Sequence, residues 1–236
     1  MLLLGIVILR LFKQSPAIIH HQNYAKIAFV GDSHVQGQIG GDFFLPLGVI
    51  LRNFNLYNFG HNGDSIGAIL ARIQKVIEAN PSKIVVLGGS NNIMADVAGK
   101  SSLEEFKQDW LKLINLLAPR FELYVLTIPP FGDDLSDEYN HKVRQYNQFL
   151  RDICQRPRVH LLDLYARLTS QLQGNKSYER PIVSRALRVG VRRYILRQSL
   201  EEITRDYGYN LTVDGFHLND KGASVVVQLL KDSLAK

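Results

Sequence analysis

The 236-residue sequence holds one cysteine, Cys154, two methionines and one tryptophan, Trp110. A lone thiol closes no intramolecular disulfide, which excludes a disulfide-stapled secreted scaffold and a multi-cysteine zinc cage. Eighteen glycines and eight prolines are too few for collagen-like or low-complexity architecture. No apolar run reaches the roughly 18 residues that mark a standard membrane-spanning helix. Charge of one sign is also scarce. The 28 Lys+Arg against 22 Asp+Glu leave a net charge of +6. Six arginines, Arg180, Arg185, Arg188, Arg192, Arg193 and Arg197, sit in one acid-free stretch and equal that whole surplus. The rest of the chain is close to neutral, so a protein that coats nucleic acid is not expected. What is present is ordinary globular composition, 46% hydrophobic and 21% charged, in a chain long enough to bury a full core unaided.

Residues 1–25 stand apart. They open on the apolar run MLLLGIVILRLF, broken by Arg10, with no basic region before it. Two readings stay open: an extension packed on the domain, or a signal or anchor that would add a membrane surface to the partners. A cytoplasmic location is favoured, with membrane association or export as the alternatives.

From Lys26 onward short apolar runs alternate with helical periodicity. Lys26–Val30, Leu56–Phe59, Lys83–Leu87, Glu122–Ile128 and Val159–Leu162 read as strands. Helices are expected over Ile66–Ala79, Ser102–Leu117, Tyr139–Cys154 and Asn219–Leu234, with Ser101 or Ser102 and Asn219 or Asp220 as caps. Strands separated by helices pair in parallel through right-handed crossovers, which gives an α/β fold with one sheet of about five strands covered on both faces. Ligands of such sheets lie beyond the carboxyl ends of the strands.

The loops at those ends carry the chemistry. They read Gly31-Asp32-Ser33-His34, then Gly60-His61-Asn62-Gly63-Asp64-Ser65, then Gly88-Gly89-Ser90-Asn91-Asn92, and, before the last helix, Asp214-Gly215-Phe216-His217. Together they supply a serine, an amide, a tight glycine and an Asp/His pair, the components of acyl transfer through a serine nucleophile. A serine hydroxyl needs a base, and His217 is the candidate. Asp214, three residues earlier, is placed to orient its imidazole. The backbone N–H groups of Ser33 and Gly63 and the side-chain amide of Asn91 are candidate oxyanion donors.

In these four blocks, in this order, the sequence resembles the SGNH, or GDSL-type, hydrolase family. The blocks are Ser33 in GDS, Gly63 in NGDS, Asn91 in GGSNN, and Asp214 with His217 in DGFH. The Leu126–Pro130 and His160–Tyr165 stretches look like family strand ends. The resemblance implies a flavodoxin-like three-layer α/β/α sandwich. It also implies hydrolysis of carboxylic or thioester bonds with no metal or cofactor. The substrate would be a small-molecule ester, with lipid, acetyl-sugar and thioester substrates and acyl transfer all left open. Oligomeric state is not legible. Residues 26–236 would form the domain, with a helical arginine-rich insertion at about 170–210 that departs from compact family members.

Gly63-Asp64-Ser65-Ile66-Gly67 also fits the G-x-S-x-G elbow of another hydrolase fold. Only two strands precede it and Ser33 would be left without a role, so Ser65 is read as a helix cap. Asp32 and Asp163 are read as structural carboxylates, Cys154 and Trp110 as packed helix residues, and His34 and His61 as pocket-lining or packing residues. The remaining function class is a non-catalytic module that binds an anionic ligand or surface through the arginines. In the insertion, Pro181 would open a helix whose Arg185, Arg188 and Arg192 share a face, solvated or paired with Glu201 and Glu202, or forming a lid that draws anionic substrates.

Overall fold

The computed structural model describes residues 18–21, 24–179 and 182–234; the opening apolar run and Pro181 fall outside them. The sheet has six strands: β1 (Ile18–Ile19), β2 (Ala25–Gly31), β3 (Phe54–Gly60), β4 (Lys83–Leu87), β5 (Glu122–Leu126) and β6 (Val159–Leu162), in the order β1-β3-β2-β4-β5-β6. β2 to β6 are parallel. Counted among themselves their order is 2-1-3-4-5, the doubly wound flavodoxin-like order, whose switch point lies between β2 and β4. The sixth strand is an addition to the five expected. Ile18 and Ile19 pair antiparallel with Tyr57 and Leu56, so part of the N-terminal extension closes the sheet edge.

Helices cover both faces. On one lie α3 (Ile66–Ala71), α4 (Gln74–Glu78), α5 (Ser90–Val97), α6 (Leu103–Leu117) and α7 (Glu138–Ile153). They pack on Ala28, Val30, Ile84, Val86, Leu123 and Val125. On the other lie α2 (Phe44–Ile50), α8 (Leu164–Thr169) and α11 (Asp220–Leu234), against Ile27, Phe29, Val85, Leu87 and Leu126. Alternate strand residues feed alternate faces, as the period of two dictates, and both faces are covered, so the runs read as continuously apolar.

The expected Ile66–Ala79 helix is two helices. At Arg72 and Ile73 the backbone N–H groups bond to Ile69 and Leu70, three residues back, which tightens and ends α3. The expected Glu122–Ile128 strand stops at Leu126. The Ile128 N–H is taken by the side-chain carbonyl of Asn147 at 2.7 Å, and Pro129-Pro130 supply no donors. Ser102 closes a capping box with Glu105 at the start of α6. Cys154 and Trp110 are buried.

The arginine-rich stretch forms α9 (Ile182–Tyr194), followed by α10 (Leu200–Tyr207). Val189, Leu200 and Ile203 make a third, smaller core with Ile39 and Val213. Those last two residues belong to the loops that carry Ser33 and Asp214.

Candidate active site

β2 ends at Gly31, where a Cβ would fall 2.0 Å from the Leu87 carbonyl oxygen of β4, so only glycine lets the two strands pass this closely. The chain then turns directly into α1 (Ser33–Gln36), with Asp32 as its cap and Ser33 as its first residue. First-turn N–H groups have no acceptor within their own helix, so Ser33 presents an available donor beside its hydroxyl.

The second half of the site is the loop before α11. Val213 N–H donates to the His217 carbonyl at 2.8 Å, and Thr212 bridges to Leu218. This tight turn places His217 over Ser33. His217 Nε2 lies 3.0 Å from Ser33 Oγ, and Nδ1 lies 2.8 Å from Asp214 Oδ2. Asp214 is fully buried. Its other oxygen accepts the Phe216 and His217 N–H groups at 3.0 and 2.8 Å. Burial pushes its carboxyl up, but the His217 charge and hydrogen bonds outweigh this and hold it below its ordinary value.

Gly63 has φ of +82°, a left-handed conformation that favours glycine, and a Cβ there would meet nothing within 4 Å. Backbone conformation, rather than a crowded approach, sets the residue here. Asn91 enters from the start of α5. Its Nδ2 donates to the Asp64 carbonyl at 3.0 Å and lies 3.5 Å from Asp32 Oδ2. Asn91 thus links the residue before Ser33 to the residue after Gly63 at one corner of the sheet. Asn92 steadies this corner by accepting the Ile66 N–H at 2.9 Å. Ser65 caps α3, accepting from Ala68 N–H at 3.2 Å. Asp163 caps α8 and accepts from Thr127 and Arg151.

Two groups of residues escaped the sequence reading. Asn58 reads as a strand residue but ties β3 to α1, its amide donating to the Val35 carbonyl at 2.7 Å. The arginines of α9 are the second group. Arg185 pairs with Glu179 and donates to Tyr209 Oη and to the Asp214 carbonyl. Arg192 pairs with Asp206, and Arg193 donates to the Gln38 and Gly40 carbonyls at 3.1 and 2.9 Å. The acidic partners are Glu179 and Asp206, not the expected Glu201 and Glu202; Glu202 is spent on capping α10. The signal in the sequence was charge, whereas in the structure Arg185 and Arg193 donate to loop carbonyls, Arg192 to the Gln198 and Asp206 side chains, and Arg188 is exposed.

A cavity of about 10 Å³, the room of a single water, is lined by Ser33, His34, Gly40, Gly41, Phe43, His217 and Leu218.

The sequence model of the GDSL-like Lipase/Acylhydrolase family matches residues 29–225. Solved structures share the fold. An α/β hydrolase, LAE5, from the metagenome of Lake Arreo, Spain, is 18% identical, with a TM-score of 0.66 over 92% of this chain and 97% of that one. The acetyl xylan esterase AlAXEase is 19% identical, with a TM-score of 0.67 over 89% and 99%. Axe2, an acetylxylan esterase from Geobacillus stearothermophilus, is 14% identical, with a TM-score of 0.66 over 92% and 96%. A comparison with curated proteins found no match.

Proposed function

The chain belongs to the GDSL-like lipase/acylhydrolase family and is an ester-bond hydrolase, and on that premise we propose that it works through an acyl-enzyme on Ser33 and takes esters of short acyl groups. The observation that carries the mechanism is the unbroken line Ser33 Oγ, His217 Nε2, His217 Nδ1, Asp214 Oδ2, with contacts of 3.0 and 2.8 Å. His217 Nε2 removes the Ser33 proton as Oγ adds to the ester carbonyl carbon. Asp214 keeps the proton of His217 on Nδ1 and stabilises the imidazolium that forms. The oxyanion is met by the N–H groups of Ser33 and Gly63 and by the Asn91 amide. His217 then returns its proton to the departing alcohol. A water repeats the sequence on the acyl-enzyme and releases the acid and Ser33.

The short-acyl reading is supported by the structural neighbours, two of which are named as acetylxylan esterases. The arginines count against recruitment of an anionic ligand through α9, since Arg185, Arg192 and Arg193 are engaged within the fold.

A fluorophosphonate probe should label the parent and Ser65→Ala but not Ser33→Ala. Labelling and turnover retained in Ser33→Ala would overturn the assignment. Across p-nitrophenyl esters, acetate should exceed octanoate in kcat/KM by about tenfold or more, since each methylene forced out of a pocket costs a factor of several. A preference for octanoate would refute the short-acyl reading.

A further inference from the structure

Ser33 is followed by a second histidine with a second aspartate. His34 is buried, its side chain 2% exposed, and both ring nitrogens are engaged. Nδ1 lies 3.0 Å from Asp32 Oδ1, and Nε2 lies 3.1 Å from the Phe216 carbonyl oxygen. A peptide carbonyl only accepts, so Nε2 must carry a proton. An ionised carboxylate only accepts, so Nδ1 must carry one too. Asp32 is surrounded by donors, as an ionised carboxylate requires: the His34 N–H at 3.0 Å and the Asn91 amide at 3.5 Å.

The catalytic pair differs in one atom. His217 also has a carboxylate at Nδ1, but its Nε2 faces a hydroxyl, which donates as well as accepts. His217 is therefore satisfied as the neutral base that catalysis needs. A neutral His34 would set one ring lone pair against another oxygen lone pair, with no room for water between them.

We propose that His34 is a positioning residue that keeps both ring protons and, as a buried imidazolium, locks the base-bearing loop onto the nucleophile's helix; this rests on the assignment of Ser33 and His217 above. The two Asp–His pairs run in opposite directions between the same two elements. Asp214 and His217 reach from the loop to Ser33. Asp32 and His34 reach from α1 back to Phe216, the residue before His217. The second pair fixes the distance that the first must bridge.

The groups facing His34 are Asp32 on its own helix, and Asp214, the Phe216 carbonyl and His217 on the opposing loop. Burial pulls the His34 imidazole down. The Asp32 charge and hydrogen bond, the Phe216 carbonyl and Asp214 more than offset it, and the net direction is up. The His34 and His217 rings are 5.8 Å apart. The imidazolium is thus held by groups from both of the elements it joins.

The test begins with the intact parent protein. The ring-nitrogen NMR shifts of His34 should show both nitrogens still protonated at pH values where an ordinary histidine has lost one proton. A neutral His34 in a single tautomer at pH 7 overturns the proposal. His34→Gln can still donate to the Phe216 carbonyl but carries no charge. Its kcat should fall about tenfold or more with KM changed by less. Parental kcat in this variant would also refute the role. Asp32→Asn keeps a good helix cap and removes the charge. His34 should then give up one ring proton near neutral pH, and retention of both would contradict the pairing. Turnover in Ser33→Ala would remove the nucleophile assignment alone; the protonation of His34 is read without substrate.

Discussion

The Asn91 amide is hydrogen-bonded to the Asp64 backbone carbonyl at 3.0 Å and lies 3.5 Å from the Asp32 carboxylate. The long second contact is the one a developing oxyanion can replace, so the amide is held close to its working position. Asn91→Ala is expected to lower kcat by ~10²–10³, about 2.7–4 kcal/mol, with little change in KM. Parental kcat in steady-state assays of this variant would remove Asn91 from the mechanism. The neighbouring Asn92 differs in kind. Its carbonyl oxygen is occupied by the Ile66 N–H and the residue is buried. Asn92→Ala should therefore lower the melting temperature as well as turnover, because it leaves a buried N–H unpaired.

Among the elements, α9 ties the two catalytic loops together. Arg193 binds the Gln38 and Gly40 carbonyls on the nucleophile side, and Arg185 binds the Asp214 carbonyl on the base side. These contacts are partly buried and do not depend on the charge of the substrate. Arg185→Gln is thus expected to reduce turnover of neutral and anionic short esters by the same factor, independent of salt. A raised KM for the anionic ester alone, relieved by salt, would instead restore charge steering as the role of the segment. A second element-level device is Asp163, which caps α8 and joins it to Thr127 beyond β5 and to Arg151 of α7. Burial pushes its carboxyl up, but the Ala166 N–H, Arg151 and Thr127 outweigh burial and leave it below its ordinary value. A carboxylate more acidic when folded stabilises the protein above its unfolded pKa of about 3.9 and loses that contribution as pH falls through the folded value. Asp163→Asn should therefore unfold more easily than the parent at neutral pH, with the gap closing below about pH 4. A gap that stays constant in urea unfolding at both pH values would show that the charge is not what stabilises.

For the whole molecule, the candidate site is assembled between Gly31 and Leu218, at one edge of the parallel sheet and around its switch point. Removal of Met1–Phe12 is expected to leave kcat/KM on water-soluble short esters within about twofold of the parent. A large loss in that truncated chain would show that the N-terminus supports the site. Among the described residues no helix is long and apolar enough to cross a membrane.

Much of this was legible from residue order alone. The five parallel strands follow from short apolar runs separated by helical periodicity, because both signals are local and repeat at fixed spacing. The identity of Ser33, Gly63, Asn91, Asp214 and His217 as candidates follows from where their loops fall at strand ends. Tertiary structure decided the rest. The edge strand at Ile18–Ile19 exists only because β3 offers it a partner, and two residues carry no periodicity of their own. Arg185 and Arg193 of α9 are engaged because carbonyls from two distant loops converge on them, which charge counting cannot show. His34 and His217 are chemically the same residue, each with an aspartate nearby in sequence. What separates them is the third atom, a carbonyl oxygen for one and a hydroxyl for the other, each contributed by a loop some 180 residues away in the chain.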